Sequence, residues 1–266
     1  MIKETIDIEK AASHYLLAAI GKKVLRPGGK ELTTKLIESL NISNQDKIME
    51  FAPGQGFTTQ MVLKKHPFSY IGIDLDADHV ASLKSRIHSN GTDVQILIGD
   101  AEQTGLPNES RDKIFGEAML SMHADQRKVR IIKEANRILK PGGLYAIHEL
   151  ELNLKEESHD KHAEIQHDLS VVSHVNARPL TIQEWSALLE NEGFEIINIE
   201  RRPLKVLDPT RILADEGILQ TLKIGYNMLT MPKARKRVFK MRKAFKAHDK
   251  HLNAVAILAR KKSTDN

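Results

Sequence analysis

The sequence predicts an α/β fold, a mostly parallel sheet with helices on both faces. Three observations carry that reading. Short apolar strand-like segments alternate with helix-patterned ones through the whole first half, the arrangement that parallel sheets need for their crossovers. Several of these strands end at a glycine or a carboxylate, the residues found where such sheets meet ligands. And 266 residues, 41% of them hydrophobic, suffice to bury one sizeable core as a single unit.

Taken in order, residues 7–24 pattern as an amphipathic helix, with Ala11, Tyr15, Ala18 and Ala19 on related faces. Arg26-Pro27-Gly28-Gly29 breaks it. A helix over 30–40 follows, with Leu32, Leu36, Ile37 and Leu40 at helical spacing. Then come a strand 47–52, a helix 58–65, a strand 70–73, a helix 77–89, strands 94–98 and 113–116, a helix 125–139 and a strand 144–149. The second half changes character, since 153–178 carries few strand signals. Thr181 and Glu184 form a capping box for a helix 182–191 that Gly193 ends. A strand 194–200, an increasingly basic helical stretch 208–250 and a strand 253–259 complete the chain.

Composition excludes several chemistries. There is no cysteine, hence no disulfide, no cysteine–zinc site and no cysteine nucleophile. The net charge of +5 is too small by itself to imply nucleic acid. No run approaches the ~20 apolar residues of a membrane span, and the N-terminal run 15–20 is too short for a signal core. A cytoplasmic location is the expectation.

The sharpest constellation is Glu50-Phe51-Ala52-Pro53-Gly54-Gln55-Gly56, directly after the first strand. Glycines at a strand-to-helix turn let backbone approach a ligand closely. A tight turn without a ligand, or a dinucleotide site, remain open from this motif alone, because Asp74 lies close to the roughly 20-residue spacing of a ribose-binding acid. The dinucleotide pattern wants a third glycine where Thr59 stands, and Glu50 would repel a pyrophosphate. The third strand then ends Ile98-Gly99-Asp100-Ala101-Glu102, and Leu139-Lys140-Pro141-Gly142-Gly143 precedes the fifth.

This order of parts, over about 45–150, resembles the class I S-adenosylmethionine-dependent methyltransferases, in particular methyltransferase family 11 with its ubiquinone/menaquinone-biosynthesis-like enzymes. The resemblance implies a Rossmann-like fold with a seven-stranded, mostly parallel sheet, its last strand antiparallel. It adds extra helices at the N-terminus and between the last two strands. It implies S-adenosylmethionine as cofactor and S-adenosylhomocysteine as product. By position, Glu50 opens the cofactor turn, and Ala52, Pro53, Gly54 and Gly56 bring backbone to the methionine part. Asp74 takes the ribose hydroxyls, Leu75 packs on the adenine, Asp100 and Ala101 meet its edge, and Gly116 or Glu117 presents a carbonyl to the ammonium. The run from Val24 to Thr33 is similar to that of poorly characterised bacterial members. That implies Arg26 on the cofactor carboxylate with Gly28 and Gly29 close by, set against a plain helix-breaking turn. The organisation expected is one methyltransferase domain over 1–266: a helical cap 1–44, a cofactor half 45–150 and an acceptor half 151–266 with a basic helical insertion at 208–250.

A sulfonium methyl is a good electrophile, and in-line displacement needs a base only if the acceptor must lose a proton. Candidate bases are His123, His148 and Glu149, beside the fourth and fifth strands, and His167 and His174 if their segment lines the acceptor pocket. His159-x-x-His162 with His167 invites a metal reading, but a solvated or substrate-lining helix is expected, and no metal. The segment 233–250 carries nine Lys and Arg against Asp249, around a Val238, Met241, Phe245 stripe. It reads as a docked helix with a solvated basic face, with an anionic acceptor, an anionic membrane surface or RNA as sharper alternatives. A small-molecule acceptor leads, and nucleic acid is disfavoured by Gly116-Glu117-Ala118-Met119 in place of an Asn/Asp-Pro-Pro-aromatic run. An RNA or protein methyltransferase, a non-catalytic cofactor-binding protein and a nicotinamide oxidoreductase are the competing readings.

Overall fold

The computed structural model describes residues 7–23, 26–89, 91–154, 159–204 and 207–263. Val24, the expected end of the first helix, lies outside them. In chain order the elements are α1 (Ser13–Ala19), α2 (Gly29–Ser39), β1 (Lys47–Phe51), α3 (Phe57–Leu63), β2 (Ser69–Asp74), α4 (Ala77–Lys84) and β3 (Asp93–Ile98). Next are β4 (Arg111–Glu117), a 3₁₀ turn Leu120–Met122, α5 (Asp125–Ile138), β5 (Leu139–Leu152), α6 (His159–Ser173), β6 (Leu180–Thr181) and α7 (Ile182–Asn191). The last are β7 (Phe194–Pro203), α8 (Pro209–Glu216), α9 (Ile218–Thr230), α10 (Pro232–Ala247) and β8 (Leu252–Lys261).

The sheet runs β3-β2-β1-β4-β5-β8-β7. β1 to β5 pair in parallel, and β8 lies antiparallel between β5 and β7. The seven expected strands are joined by the two-residue β6, which adds to the far end of β5 where β4 has already stopped. It is too short to leave a periodicity in sequence. Two helices are shorter than their patterns: α1 starts at Ser13, after a turn whose amides bond to Asp7, and α4 stops at Lys84.

Strand alternation sorts the core into two layers. Met49, Phe51, Ile71 and Ile73 face α5 and α7, among Ile131, Ile132, Trp185 and Leu189. Ile48, Tyr70 and Phe115 face α2, α3 and α4, among Leu36, Val62 and Leu83. A third apolar cluster lies outside the sheet: Leu16, Leu17 and Ile20 of α1 pack with Val172 of α6, Ile224 of α9 and Val238 and Met241 of α10. The N-terminal helix and the late helices thus form one cap, although the sequence separates them widely.

Trp185, the chain's single tryptophan, is fully buried, donates its indole N–H to the Leu150 carbonyl (3.0 Å) and lies under the Lys128 ammonium. Trp185→Ala would open a large cavity, remove the indole donor from the Leu150 carbonyl and take the ring from under Lys128, whose ammonium keeps Asp125 Oδ1 (2.6 Å). Urea unfolding followed by circular dichroism should register a loss of about 3–5 kcal/mol.

Candidate active site

The strand order reverses between β1 and β4, so their carboxyl ends open a crevice, the place where open α/β sheets bind ligands. A cavity of about 300 Å³ lies there. Its wall follows the strand ends: Ala52 to Gln55 after β1, Asp74 to Asp76 after β2, Gly99 to Ala101 after β3 and Glu117 to Met119 after β4. His14, Tyr15 and Ala18 of α1 close it from the cap side.

The loop after β1 is shaped by three left-handed residues, Ala52, Gly54 and Gly56, at φ of +53°, +53° and +74°. The two glycines do different work. A Cβ on Gly54 would meet nothing nearer than the Ala52 carbonyl at 4.0 Å, so this residue leaves space to a ligand. A Cβ on Gly56 would stand 2.1 Å from Leu83 Cδ1, so Gly56 lets the loop pack against α4 and does not line the cavity. Asp74 fixes the loop by accepting the Gly54 and Asp76 amides, each at 3.0 Å. Ala118, at the end of β4, is also left-handed, with φ +53°. Non-glycine residues in that region cluster at functional sites.

The residues singled out in the sequence divide in two. Arg26, Ala52, Pro53, Gly54, Asp74, Leu75, Asp100, Ala101, Glu117 and His123 line the cavity. Glu50, Gly29 and Gly116 do not. Glu50 is buried on the opposite face of β1, where it accepts from Thr59 Oγ1 (2.7 Å) and Tyr70 Oη, and burial pushes it up to about 7. Gly29 begins α2, where a Cβ would strike Arg211 and Asp215. Gly116 packs against Phe51 and Met119. Asp100 is bidentate with Arg127 Nη2 (3.0 and 2.9 Å), a partner the sequence does not signal.

Glu117 is the centre of a buried polar cluster. Its oxygens accept from Thr33 Oγ1 (2.6 Å) of α2 and Thr58 Oγ1 of α3. It also contacts His148 Nδ1 (2.8 Å) of β5 and pairs with Arg26 Nε (2.6 Å). Burial acts to raise its pKa, but the Arg26 charge and the His148 hydrogen bond outweigh it and hold the carboxyl at about 2. His148 is fully buried, and its Nε2 meets the Pro27 carbonyl, so both ring nitrogens are engaged. Arg26 lies over the Phe57 ring (5.5 Å), and its buried Nη1 has no hydrogen-bond partner.

A second cavity of about 80 Å³ adjoins the first, and Arg26, Ala118 and Met122 line both. Its remaining wall is mostly apolar, from Leu17 of α1, Leu150 of β5, Leu169 of α6, Val175 and Ala177 just beyond it, and Met241 and Phe245 of α10. Glu149 borders it, yet its oxygens are occupied by the amides of Met119, Leu120 and Ser121 and the Ser121 hydroxyl, at 2.6–3.0 Å. His167 and His174 lie elsewhere, both exposed, with His174 Nδ1 against the Lys10 carbonyl (3.2 Å). His162 contacts Gln166 Nε2 (2.8 Å), and the side chain of His159 is outside the described residues. The metal-capable grouping among the described residues is a different one, Glu164, Asp168 and His248.

Sequence reasoning also missed the cap contribution. Tyr15 donates its hydroxyl to Asp76 and stacks on His79 (5.6 Å), so α1 is fastened over the β2 end of the cavity. Tyr15 reads in sequence as part of an amphipathic face, and nothing local marks its partner 61 residues away.

Comparisons with known proteins bear on this geometry. A family model described as a methyltransferase domain matches residues 48–143. An uncharacterized protein of Haemophilus influenzae is 32% identical over 250 residues, covering 93% of this chain and 97% of its own. The methyltransferase GfsG of Streptomyces halstedii is 24% identical over 225 residues, 78% of each chain. Phosphoethanolamine N-methyltransferase 2 of Haemonchus contortus has been solved with phosphomonomethylethanolamine and S-adenosylhomocysteine. It shares this fold with a TM-score of 0.67 at 16% identity, over 94% of this chain and 57% of that one. With a mostly parallel sheet whose last strand in the chain, β8, is antiparallel, and a cavity at its switch point, the chain belongs to the class I S-adenosylmethionine-dependent methyltransferases.

Proposed function

We propose that the 300 Å³ cavity takes the cofactor and that the methyl group passes to a small-molecule acceptor held in the adjoining apolar cavity, the whole chain acting as one methyltransferase unit. The observation that carries this reading is the wall common to both cavities, Arg26, Ala118 and Met122. The residues present fit the donor. Asp74 takes the ribose hydroxyls, exposed Leu75 covers the adenine, and Asp100 and Ala101 meet its edge while Arg127 steadies Asp100. The open side of Gly54 admits the methionine part, the end of β4 at Glu117 receives its ammonium, and the partnerless Nη1 of Arg26 receives its carboxylate. When bound, S-adenosylmethionine supplies an electrophilic methyl that an in-line displacement delivers to the acceptor.

This chain's own part is to position and to exclude water. Among the described residues that border the acceptor cavity, no strong base has a free atom: Glu149 is saturated by four donors. His148, behind that wall, is held at both nitrogens. His123 faces the donor cavity, and burial lowers its pKa, favouring the neutral ring. The acceptor therefore brings its own lone pair, as an amine, thiolate or already ionised oxygen does. The tight apolar walls suit a small molecule better than a nucleotide strand.

Turnover of methyl-labelled cofactor against a panel of small amines and thiols tests the reading; labelling of RNA alone would overturn it. Asp74→Ala should weaken cofactor binding about 10- to 100-fold by calorimetry, since it removes charged acceptors for two hydroxyls. Gly54→Val, though strained by its left-handed backbone, should leave a folded chain that no longer binds cofactor, whereas Gly56→Val adds a clash with Leu83 to the same strain and should lose more stability in urea unfolding. Glu117 supplies a pH test. Its folded pKa, about 2, lies below the ordinary 4.5, so its contribution to stability is present above 4.5 and is lost as pH falls towards 2. The melting-temperature gap between the native chain and Glu117→Gln should close across that window.

A further inference from the structure

Two neighbouring helices of the cap carry surfaces that methyl transfer leaves unexplained. On α9, Ile218, Leu219, Leu222, Tyr226 and Leu229 are between 65% and 85% exposed. Leu219, Leu222, Tyr226 and Leu229 recur at spacings of three, four and three, which puts them on one helical face. The opposite face buries Ile224 against the cap, so the helix is docked and its apolar side is left outward. Its one charged residue is Lys223. One residue later α10 begins, with eight Lys and Arg and no acid in its sixteen residues. Its inner side, Ala234, Val238 and Met241, is buried. Of the basic residues, Lys233 pairs with Glu9, and Arg237 caps the Ile8 and Ala11 carbonyls. Among the described residues, Arg235, Lys236, Lys240, Arg242, Lys243 and Lys246 form no ion pair. Phe239, 54% exposed, stands among them.

A solvated basic face accounts for α10 alone, but not for five large apolar side chains left in water on the helix joined to it. We propose that α9 and α10 together form a docking surface for a membrane carrying anionic lipids. The apolar face of α9 enters the boundary between headgroups and acyl chains, and the lysines and arginines of α10 lie against the phosphates. Charge complementarity selects this occupant. A second copy seated on α9 would bring two acid-free basic helices towards each other. RNA would meet the cations and find stacking planes at Tyr226 and Phe239 alone, while Ile218, Leu219, Leu222 and Leu229 offer bases neither a stacking plane nor a hydrogen bond. The geometry also links this surface to the acceptor cavity, because Met241 and Phe245 of the same α10 form part of its wall.

The test is flotation of the purified full chain with vesicles of phosphatidylcholine alone and of phosphatidylcholine with phosphatidylglycerol. The native chain should float only with the anionic vesicles, and added salt should weaken this. A triple variant, Leu219→Glu with Leu222→Glu and Leu229→Glu, should lose about tenfold or more of the bound fraction, as should Lys236→Glu with Lys240→Glu and Lys243→Glu. All six positions are exposed, and calorimetric cofactor affinity, expected unchanged, shows that both variants are folded. Recovery of the native chain at the bottom of the gradient with both vesicle types overturns the proposal. So does a dimer in analytical ultracentrifugation that the leucine variant splits, or an RNA complex that the leucine variant forms equally well.

Discussion

The structure is organised around one buried negative charge. Glu117 closes β4, and four side chains converge on its two oxygens: Arg26 before α2, Thr33 within α2, Thr58 of α3 and His148 of β5. An ionised carboxylate deprived of such partners would cost several kcal/mol, so the cluster forms as a whole or is strongly destabilising. That requirement fixes the N-terminal segment against the sheet. His148 extends it by reaching the Pro27 carbonyl, and the segment that breaks the first helix becomes part of the cavity wall. The positive group brought there, Arg26, lines the crevice, and its buried Nη1 has no hydrogen-bond partner.

Backbone conformation reinforces this arrangement. Ala52 and Ala118 end neighbouring strands, and both adopt the left-handed region. Each is held by a hydrogen bond to the next strand, Ala52 N–H to the Ile73 carbonyl (2.8 Å) and Ala118 N–H to the His148 carbonyl (2.7 Å). The two turns deflect the chain on either side of the switch point and hold the crevice open. The strain, on the order of 1 kcal/mol or more per residue, is borne by the pairing of the sheet around it.

Much of this was legible in sequence because it is local. The strand ends announce themselves by glycines and carboxylates, the capping box at Thr181 is a short-range signal, and the alternation of periods gives the layer order. What was not legible depends on contacts between distant segments. Glu50 sits in the motif like a ligand-facing acid, but strand alternation turns it to the Tyr70 side. Glu149 and His148 look like free bases at a strand end, and only the fold reveals that amides and a carbonyl have consumed their capacity. Tyr15 and Arg127 join the crevice through partners 61 and 27 residues away. The basic stretch was visible as charge, but the exposed face of α9 beside it was not, because a leucine pattern in sequence reads as core until its neighbours are known.

The two cavities are completed at different points along the chain. The larger one is lined entirely by residues from His14 to Ile131. The smaller one waits for Met241 and Phe245, near the C-terminal end of the last helix. The late helices thus close a chamber whose strand-end side is set by earlier parts of the chain. Substitutions on the inner sides of α6 and α10 can then reshape that chamber without touching the strand ends, so the two halves of the crevice are free to diverge at different rates.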